Sequence, residues 1–221
     1  MRQIPMKGAL LLKKAHGLNM QQTNQDLNFN AGTLVGREAP DFTVQAFHKN
    51  VFKKVRLSAL RGKWVVLAFY PADFTFVCPT ELSRFADFYD DFKKLNAEVF
   101  SVSTDTEQVH KAWWDTSESI KKIQFPMIAD PAGKVCKSYG TYIYEGEDEG
   151  RSLRATFIID PDGIVRSADI HDNSIGRSVK EVFRKLGAAK YVNEHGGEVC
   201  PVEWESGQKT LRPGIGLVGK I

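Results

Sequence analysis

The stretch Lys63-Trp-Val-Val-Leu-Ala-Phe-Tyr70 decides the fold of this chain. Its run of apolar and β-branched residues predicts a strand that is buried on both faces and ends at Pro71. After a short turn, apolar residues recur three and four positions apart from Leu82 to Leu95, which predicts an amphipathic helix. A buried strand followed at once by a helix favours an α/β protein.

The alternation of strands and helices continues toward the C-terminus. Three further segments predict strands: Glu98–Ser103, Ala155–Ile159 and Ile164–Ile170. Val179–Leu186 predicts a helix, and the chain from Gly187 onward is expected to be irregular because it is rich in Gly and Pro. This order of elements is typical of a thioredoxin-like α/β fold.

The composition divides the chain into three parts. Residues 1–27 are predicted to be a disordered N-terminal extension, because the first 25 residues contain no acid and lack the long apolar segment of a signal peptide. A transit peptide, or a true start at Met20, would explain this segment as well. Residues 36–190 are expected to form the thioredoxin-like domain, and residues 191–221 a C-terminal arm.

The overall charge gives no indication of a polyanionic partner. The 221 residues include 30 basic and 27 acidic side chains, which leaves a net charge of +3. No apolar run approaches the ~18 residues that a membrane span needs. We therefore predict a protein that binds neither nucleic acid nor a membrane.

The number and spacing of the cysteines limit the kinds of site that this chain can form. Cys78, Cys136 and Cys200 are the three cysteines, and no two of them stand in CxxC spacing. This excludes a zinc ribbon and the dithiol motif of thioredoxins, and the histidines show no ligand spacing, so we predict no metal site. Scattered cysteines favour a cytoplasmic protein with one or two reactive thiols. Cys136 is expected to be a packing residue.

Cys78 has the strongest indication of chemistry. It lies between the buried strand and the predicted helix, with Pro79 expected at the first helical position. A thiol at this place faces unpaired backbone N–H groups and the positive end of the helix dipole, and both favour the nucleophilic thiolate. The alternative is a small apolar packing residue at a helix start.

The residues around Cys78 resemble a known family. The spacing Pro71-x-x-x-Thr75-x-x-Cys78 is similar to the active site of the typical two-cysteine peroxiredoxins. The segments VSTDTE, HKAW, RATFIIDPDG and HGGEVCPVEW extend the resemblance from about Gly36 to the C-terminus. The closing LVGKI is most similar to the peroxidase subunits of the bacterial alkyl hydroperoxide reductases.

The resemblance implies a thiol-dependent peroxidase that reduces hydrogen peroxide and organic hydroperoxides. Cys78 is then the peroxidatic cysteine, which becomes a sulfenate, and Cys200 the resolving cysteine, which forms an intersubunit disulfide with it. The other implied catalytic residues hold the peroxide or shape its pocket: Thr75, Arg154 and Pro71. Glu81 and Arg177 are implied to support Arg154 and the cysteine.

The resemblance also implies partners. A dithiol reductant, either a flavoprotein disulfide reductase or thioredoxin, is expected to restore the thiols, and homodimers are expected to assemble into a decamer. No metal, haem or flavin cofactor is expected, because sulfur carries the redox chemistry. The preferred peroxide stays open. Alternative functions are a general thiol–disulfide oxidoreductase, a holdase chaperone and a peroxide sensor.

Overall fold

The computed structural model describes residues 32–220, so the predicted extension over residues 1–27 lies outside the described residues. Within this range the chain forms one seven-stranded sheet. Its strands are β1 (Thr43–His48), β2 (Val51–Arg56), β3 (Trp64–Phe69), β4 (Ala97–Ser103), β5 (Met127–Ala129), β6 (Arg154–Ile159) and β7 (Val165–His171). Their order across the sheet is β2-β1-β5-β4-β3-β6-β7, with β3 parallel to β4 and antiparallel to β6.

Five α-helices accompany the sheet within the described range. They are α1 (Cys78–Asp87), α2 (Tyr89–Lys94), α3 (Glu107–Thr116), α4 (Lys134–Ser138) and α5 (Val179–Glu194). None of these helices combines the length and the apolar character that crossing a membrane requires.

Strand β3 is buried on both faces, as its sequence predicts. Trp64, Val66 and Ala68 pack into one core cluster, while the residues between them pack into a second cluster on the opposite face. This division follows from the alternation of side chains along a strand. Because β3 lies between β4 and β6, the chain enters α1 from an internal strand of the sheet.

The predicted strands correspond to β3, β4, β6 and β7, but the pattern missed β1, β2 and β5. The apolar stripe from Leu82 to Leu95 is divided between α1 and α2, because the chain leaves helical geometry at Phe88 (φ −93°, ψ 0°).

The prediction of an irregular chain from Gly187 is wrong, since α5 continues to Glu194. The predicted boundary between residues 190 and 191 thus lies inside this helix. A glycine in a helix interior costs only about 1 kcal/mol, which burial of Val182 and Leu186 outweighs.

Candidate active site

Cys78 is the first residue of α1 and is fully buried. Pro79 occupies the second helical position, one later than predicted, where its missing N–H leaves no internal helix bond unmade. The Cys78 thiol is free, and its Sγ lies 3.3 Å from Nη1 of Arg154. The structure therefore places the predicted nucleophile against a permanent positive charge.

Arg154 is the first residue of β6 and is 3% exposed. Nη1 also donates to Glu81 Oε2 at 2.9 Å, and Nε donates to the carbonyl of Asn173 at 2.8 Å. A guanidinium has its donors in a fixed plane. The two oxygen acceptors therefore fix the orientation in which Arg154 faces the sulfur.

Glu81 connects two arginines beneath the cysteine. It lies one turn after Cys78 on α1, and its carboxylate accepts the Arg177 backbone N–H at 2.7 Å and Arg177 Nε and Nη2 at 3.0 Å each. Burial by itself raises the pKa of Glu81, but the charge and hydrogen bonds of Arg177, and then the charge of Arg154, hold that pKa below its ordinary value. Glu81 is therefore an anion at neutral pH.

Arg177 also ties the strands around the site together. Its Nη1 donates to the Ala155 carbonyl at 2.7 Å and to Thr156 Oγ1 at 3.1 Å, and Nη2 donates to the Phe69 carbonyl at 2.5 Å. The residues implied to be supporting, Glu81 and Arg177, are thus joined to Arg154 in one buried ion-pair network.

Replacing Glu81 by Gln is expected to destabilise the fold by about 3 kcal/mol at pH 7, because two buried guanidiniums lose their counter-charge. The lowered pKa of Glu81 means that its contribution is complete above the ordinary value of 4.5 and is lost as the pH falls through the lower folded-state value. The difference between wild type and Glu81→Gln in urea unfolding should therefore shrink at acidic pH.

The matched control for this substitution is Asp87→Asn. Asp87 forms an exposed ion pair with Arg84 at 3.3 Å, and such pairs contribute less than about 1 kcal/mol. An equal loss in both variants, or a Glu81→Gln effect that does not change with pH, would contradict the assigned role of Glu81.

Pro71 and Thr75 belong to the segment that connects β3 with α1. Pro71 is buried, whereas Thr75 is half-buried and its hydroxyl donates to the Ala72 carbonyl at 2.9 Å. Phe74 between them adopts a positive φ of 55°, which is unusual for a residue with a bulky side chain. The Thr75 hydroxyl is thus bonded to the backbone of its own segment, and its oxygen is still able to accept a hydrogen bond.

A buried polar network that sequence reasoning missed holds this segment. Asp73 accepts a hydrogen bond from the Tyr70 hydroxyl at 2.7 Å and contacts His110 Nδ1 at 2.8 Å. The other ring nitrogen, Nε2, lies 3.1 Å from the Ile128 carbonyl. Burial alone lowers the pKa of His110, but the hydrogen bond and charge of Asp73 raise it above its ordinary value. The sequence motifs DFT and HKAW, which contain Asp73 and His110, are the features from which these two residues could have been singled out.

Asp73, Asp105 and His110 also have donor atoms within 4.8 Å of one another, as a metal site requires. Each of them already has partners within the protein, since Asp105 Oδ2 accepts from the Asp73 N–H at 2.8 Å and from the Ser103 hydroxyl at 2.7 Å. We assign this cluster the structural role of anchoring the segment that carries Thr75.

Cys200 lies in the chain that follows α5, with its Sγ 3.8 Å from the Ala188 carbonyl and no bond to Cys78. Partial burial raises the pKa of the Cys200 thiol. Trp204, which is 1% exposed, anchors the segment around Cys200, and Val199 forms a β-bridge with Leu211, whereas Val202 is 89% exposed.

Cys136 is buried in α4, and burial raises the pKa of its thiol to about 12. This favours the packing role predicted for it, because the neutral thiol is a poor nucleophile.

Comparison with known proteins shows the family of this chain. The model of the AhpC/TSA family matches residues 35–168. Alkyl hydroperoxide reductase C of Pseudomonas aeruginosa is 47% identical over 189 residues, which cover 86% of this chain and all of that protein. The Staphylococcus aureus protein of the same name is 48% identical over 191 residues, with the same coverage.

Solved structures show the same architecture. The crystal structure of Enterococcus faecalis AhpC has a TM-score of 0.73 at 44% identity and covers 77% of this chain and 100% of that chain. The reduced 2-Cys peroxiredoxin of Plasmodium vivax has a TM-score of 0.75 at 36% identity, and the match covers 81% of this chain and 93% of that chain. The predicted thioredoxin-like α/β fold and the peroxiredoxin resemblance are confirmed, and the chain belongs to the AhpC/TSA family.

Proposed function

We propose that the protein is a thiol peroxidase that reduces hydrogen peroxide and organic hydroperoxides, with Cys78 as the peroxidatic and Cys200 as the resolving cysteine. The observation that carries the proposal is the 3.3 Å contact between Cys78 Sγ and Nη1 of Arg154, whose Nη1 also donates to Glu81 and whose Nε donates to the Asn173 carbonyl. The names of the relatives, alkyl hydroperoxide reductase C and 2-Cys peroxiredoxin, support the same reaction.

In the first step, the Cys78 thiolate attacks one peroxide oxygen and the O–O bond breaks. The sulfur takes that oxygen as a sulfenic acid, and the other oxygen leaves as hydroxide or alkoxide and takes up a proton. Arg154 stabilises the negative charge as it moves from sulfur to the leaving oxygen, and the Thr75 hydroxyl orients the peroxide. Pro71 shapes the pocket without offering a competing donor.

In the second step, Cys200 of another subunit attacks the Cys78 sulfenate, a disulfide forms and water leaves. Two cysteines form a disulfide only when their Cα atoms approach within about 7 Å. Cys78 is fully buried in the first turn of α1, and Cys200 contacts α5 through Ala188. The first turn of α1 must therefore open during each catalytic cycle, and Cys200 must leave its contact with α5.

The disulfide needs a dithiol reductant, which we propose to be a flavoprotein disulfide reductase or thioredoxin. Subunits would pair and assemble into a decamer, and exposed apolar residues beside the site, Phe74 and Phe76, and on edge strand β7, Ile170, offer surfaces for such contacts. An odd number of scattered cysteines supports a reducing compartment such as the cytoplasm. There the enzyme would act as an antioxidant in redox homeostasis.

Counting thiols after one equivalent of hydrogen peroxide tests the proposed function. Reduced wild type should lose two of its three thiols per chain and keep Cys136, without any added metal or cofactor. Cys200→Ser should lose only Cys78, as a sulfenic acid that a dimedone adduct reveals by mass spectrometry. Loss of Cys136 in place of Cys78, or retention of all three thiols, would contradict the proposal.

A further inference from the structure

The hairpin formed by β1 and β2 carries a basic surface that the peroxidase reaction does not use. From Phe42 to Ala72 the chain contains no acidic residue but six basic ones: Lys49, Lys53, Lys54, Arg56, Arg61 and Lys63. The prediction that the protein binds no membrane rests on the net charge of +3, which is a sum over the whole chain. The positive charge is in fact concentrated in one region.

The hairpin presents its tip, defined here as residues 49–54, in a fixed geometry. Strands β1 and β2 pair up to His48 opposite Val51, which leaves a two-residue turn at Lys49 and Asn50. Both turn residues have positive φ, 48° and 63°, as in the tight turns that match the twist of antiparallel strands. Strand β2 is at the edge of the sheet, so the tip is open to a partner.

The hairpin tip is apolar as well as basic. Val51 is 59% exposed and Phe52 is 47% exposed. Because successive residues of a strand point to opposite faces, these side chains lie on both faces of the tip. The Phe52 ring also contacts the Phe47 ring, with centroids 6.1 Å apart, and this contact fixes the orientation of the Phe52 ring.

The lysines of the hairpin tip form no ion pair with a carboxylate within the described residues, although the negative charge of Glu98 acts on Lys53. Within residues 32–220, the nearby acids pair elsewhere: Asp41 with Arg56 at 3.6 Å, and Glu98 with Lys63 at 3.0 Å and Lys93 at 2.5 Å. Lys49, Lys53 and Lys54 are all exposed and form no ion pair within that range, and Lys53 instead donates to His48 Nδ1 at 2.9 Å.

We propose that the hairpin tip docks on the surface of an anionic phospholipid bilayer, with its lysines among the headgroups and Val51 and Phe52 inserted between them. Each lysine near such a surface strengthens binding by a factor of about five. The exposed apolar pair favours a bilayer over a nucleic acid, because phosphate-backbone binding depends mainly on charge. This inference does not depend on the peroxidase activity, although a docked enzyme would meet hydroperoxides formed in lipid.

Vesicle flotation of the full chain tests the proposal. Wild type should float with vesicles containing about 40% phosphatidylglycerol at low salt, stay in solution with phosphatidylcholine alone, and dissociate at about 0.5 M salt. The double variant Lys49→Glu/Lys54→Glu should lower the bound fraction at least about ten-fold, and Phe52→Ser should lower it about three-fold or more. All variants should reduce hydrogen peroxide in solution as wild type does.

Two matched controls separate the hairpin tip from bulk properties. Lys122→Glu/Lys134→Glu makes the same change in net charge at exposed sites elsewhere, and Ile215→Ser removes an apolar side chain that is 92% exposed. Both should float as wild type does. Equal loss in the charge control, no binding of wild type, or equally tight binding to duplex DNA that Phe52→Ser leaves unchanged would overturn the proposal.

Discussion

Replacing Cys78 by Ser is expected to reduce peroxide consumption to the rate of the buffer. Serine keeps the small size that fits the fully buried position at the start of α1. Its hydroxyl stays protonated at neutral pH and forms no analogue of the sulfenic acid. The measurement is the second-order rate constant with hydrogen peroxide and with an organic hydroperoxide, under excess dithiol reductant.

The control for this variant is Cys136→Ser, which removes a buried thiol in α4. The hydrogen-bond partners of Cys136, Asp130 and Thr141, do not belong to the network around Arg154. Cys136→Ser should retain the wild-type rate constant after correction for any loss of stability. Substantial peroxide reduction by Cys78→Ser would mean that another group carries the chemistry.

The second large effect is expected from Arg154→Lys. The substitution keeps one positive charge but removes the planar donors that reach Cys78 Sγ, Glu81 and the Asn173 carbonyl together. Charge-assisted hydrogen bonds contribute about 1.5–3 kcal/mol each, so the loss of two in the transition state should slow Cys78 oxidation about 10²- to 10⁴-fold. Stopped-flow tryptophan fluorescence would measure this rate.

Arg166→Lys provides the matched control for Arg154→Lys. Arg166 lies on the neighbouring strand β7 and forms a 2.6 Å ion pair with Asp160, away from the cysteine. It should leave the oxidation rate within about two-fold of wild type, since the Arg166–Asp160 pair includes no residue of the network formed by Cys78, Arg154 and Glu81. An Arg154→Lys rate close to wild type would show that charge alone, without the fixed donors, suffices for the reaction.

The local parts of this structure could be predicted from sequence, because short-range patterns determine them. The apolar run of β3 and the start of α1, one residue from its predicted position, each follow from residues that are close in the chain. The β1–β2 hairpin was missed because its edge strand is rich in lysine and exposes Val51 and Phe52 where a core-facing pattern is expected.

The site itself could not be assembled from local patterns. Arg154 meets Cys78 across 76 positions and Arg177 meets Glu81 across 96, so only the resemblance to a family indicated that these residues act together. The contact of Asp73 with His110 spans 37 positions, and the motifs DFT and HKAW that contain these residues do not by themselves indicate that the two side chains pair. Such pairings depend on sheet order, which single-residue propensities do not encode.

The most direct test of the central claim, that Cys78 and Cys200 form one redox pair, is the product of a brief peroxide exposure. Reduced wild type, Cys78→Ser and Cys200→Ser would each receive one equivalent of hydrogen peroxide for seconds, be alkylated and be separated on a non-reducing gel. We expect a disulfide-linked dimer from wild type alone, with Cys78 and Cys200 in the linked peptides. A monomeric wild type with reduced Cys78, or a dimer that persists in either variant, would contradict the account.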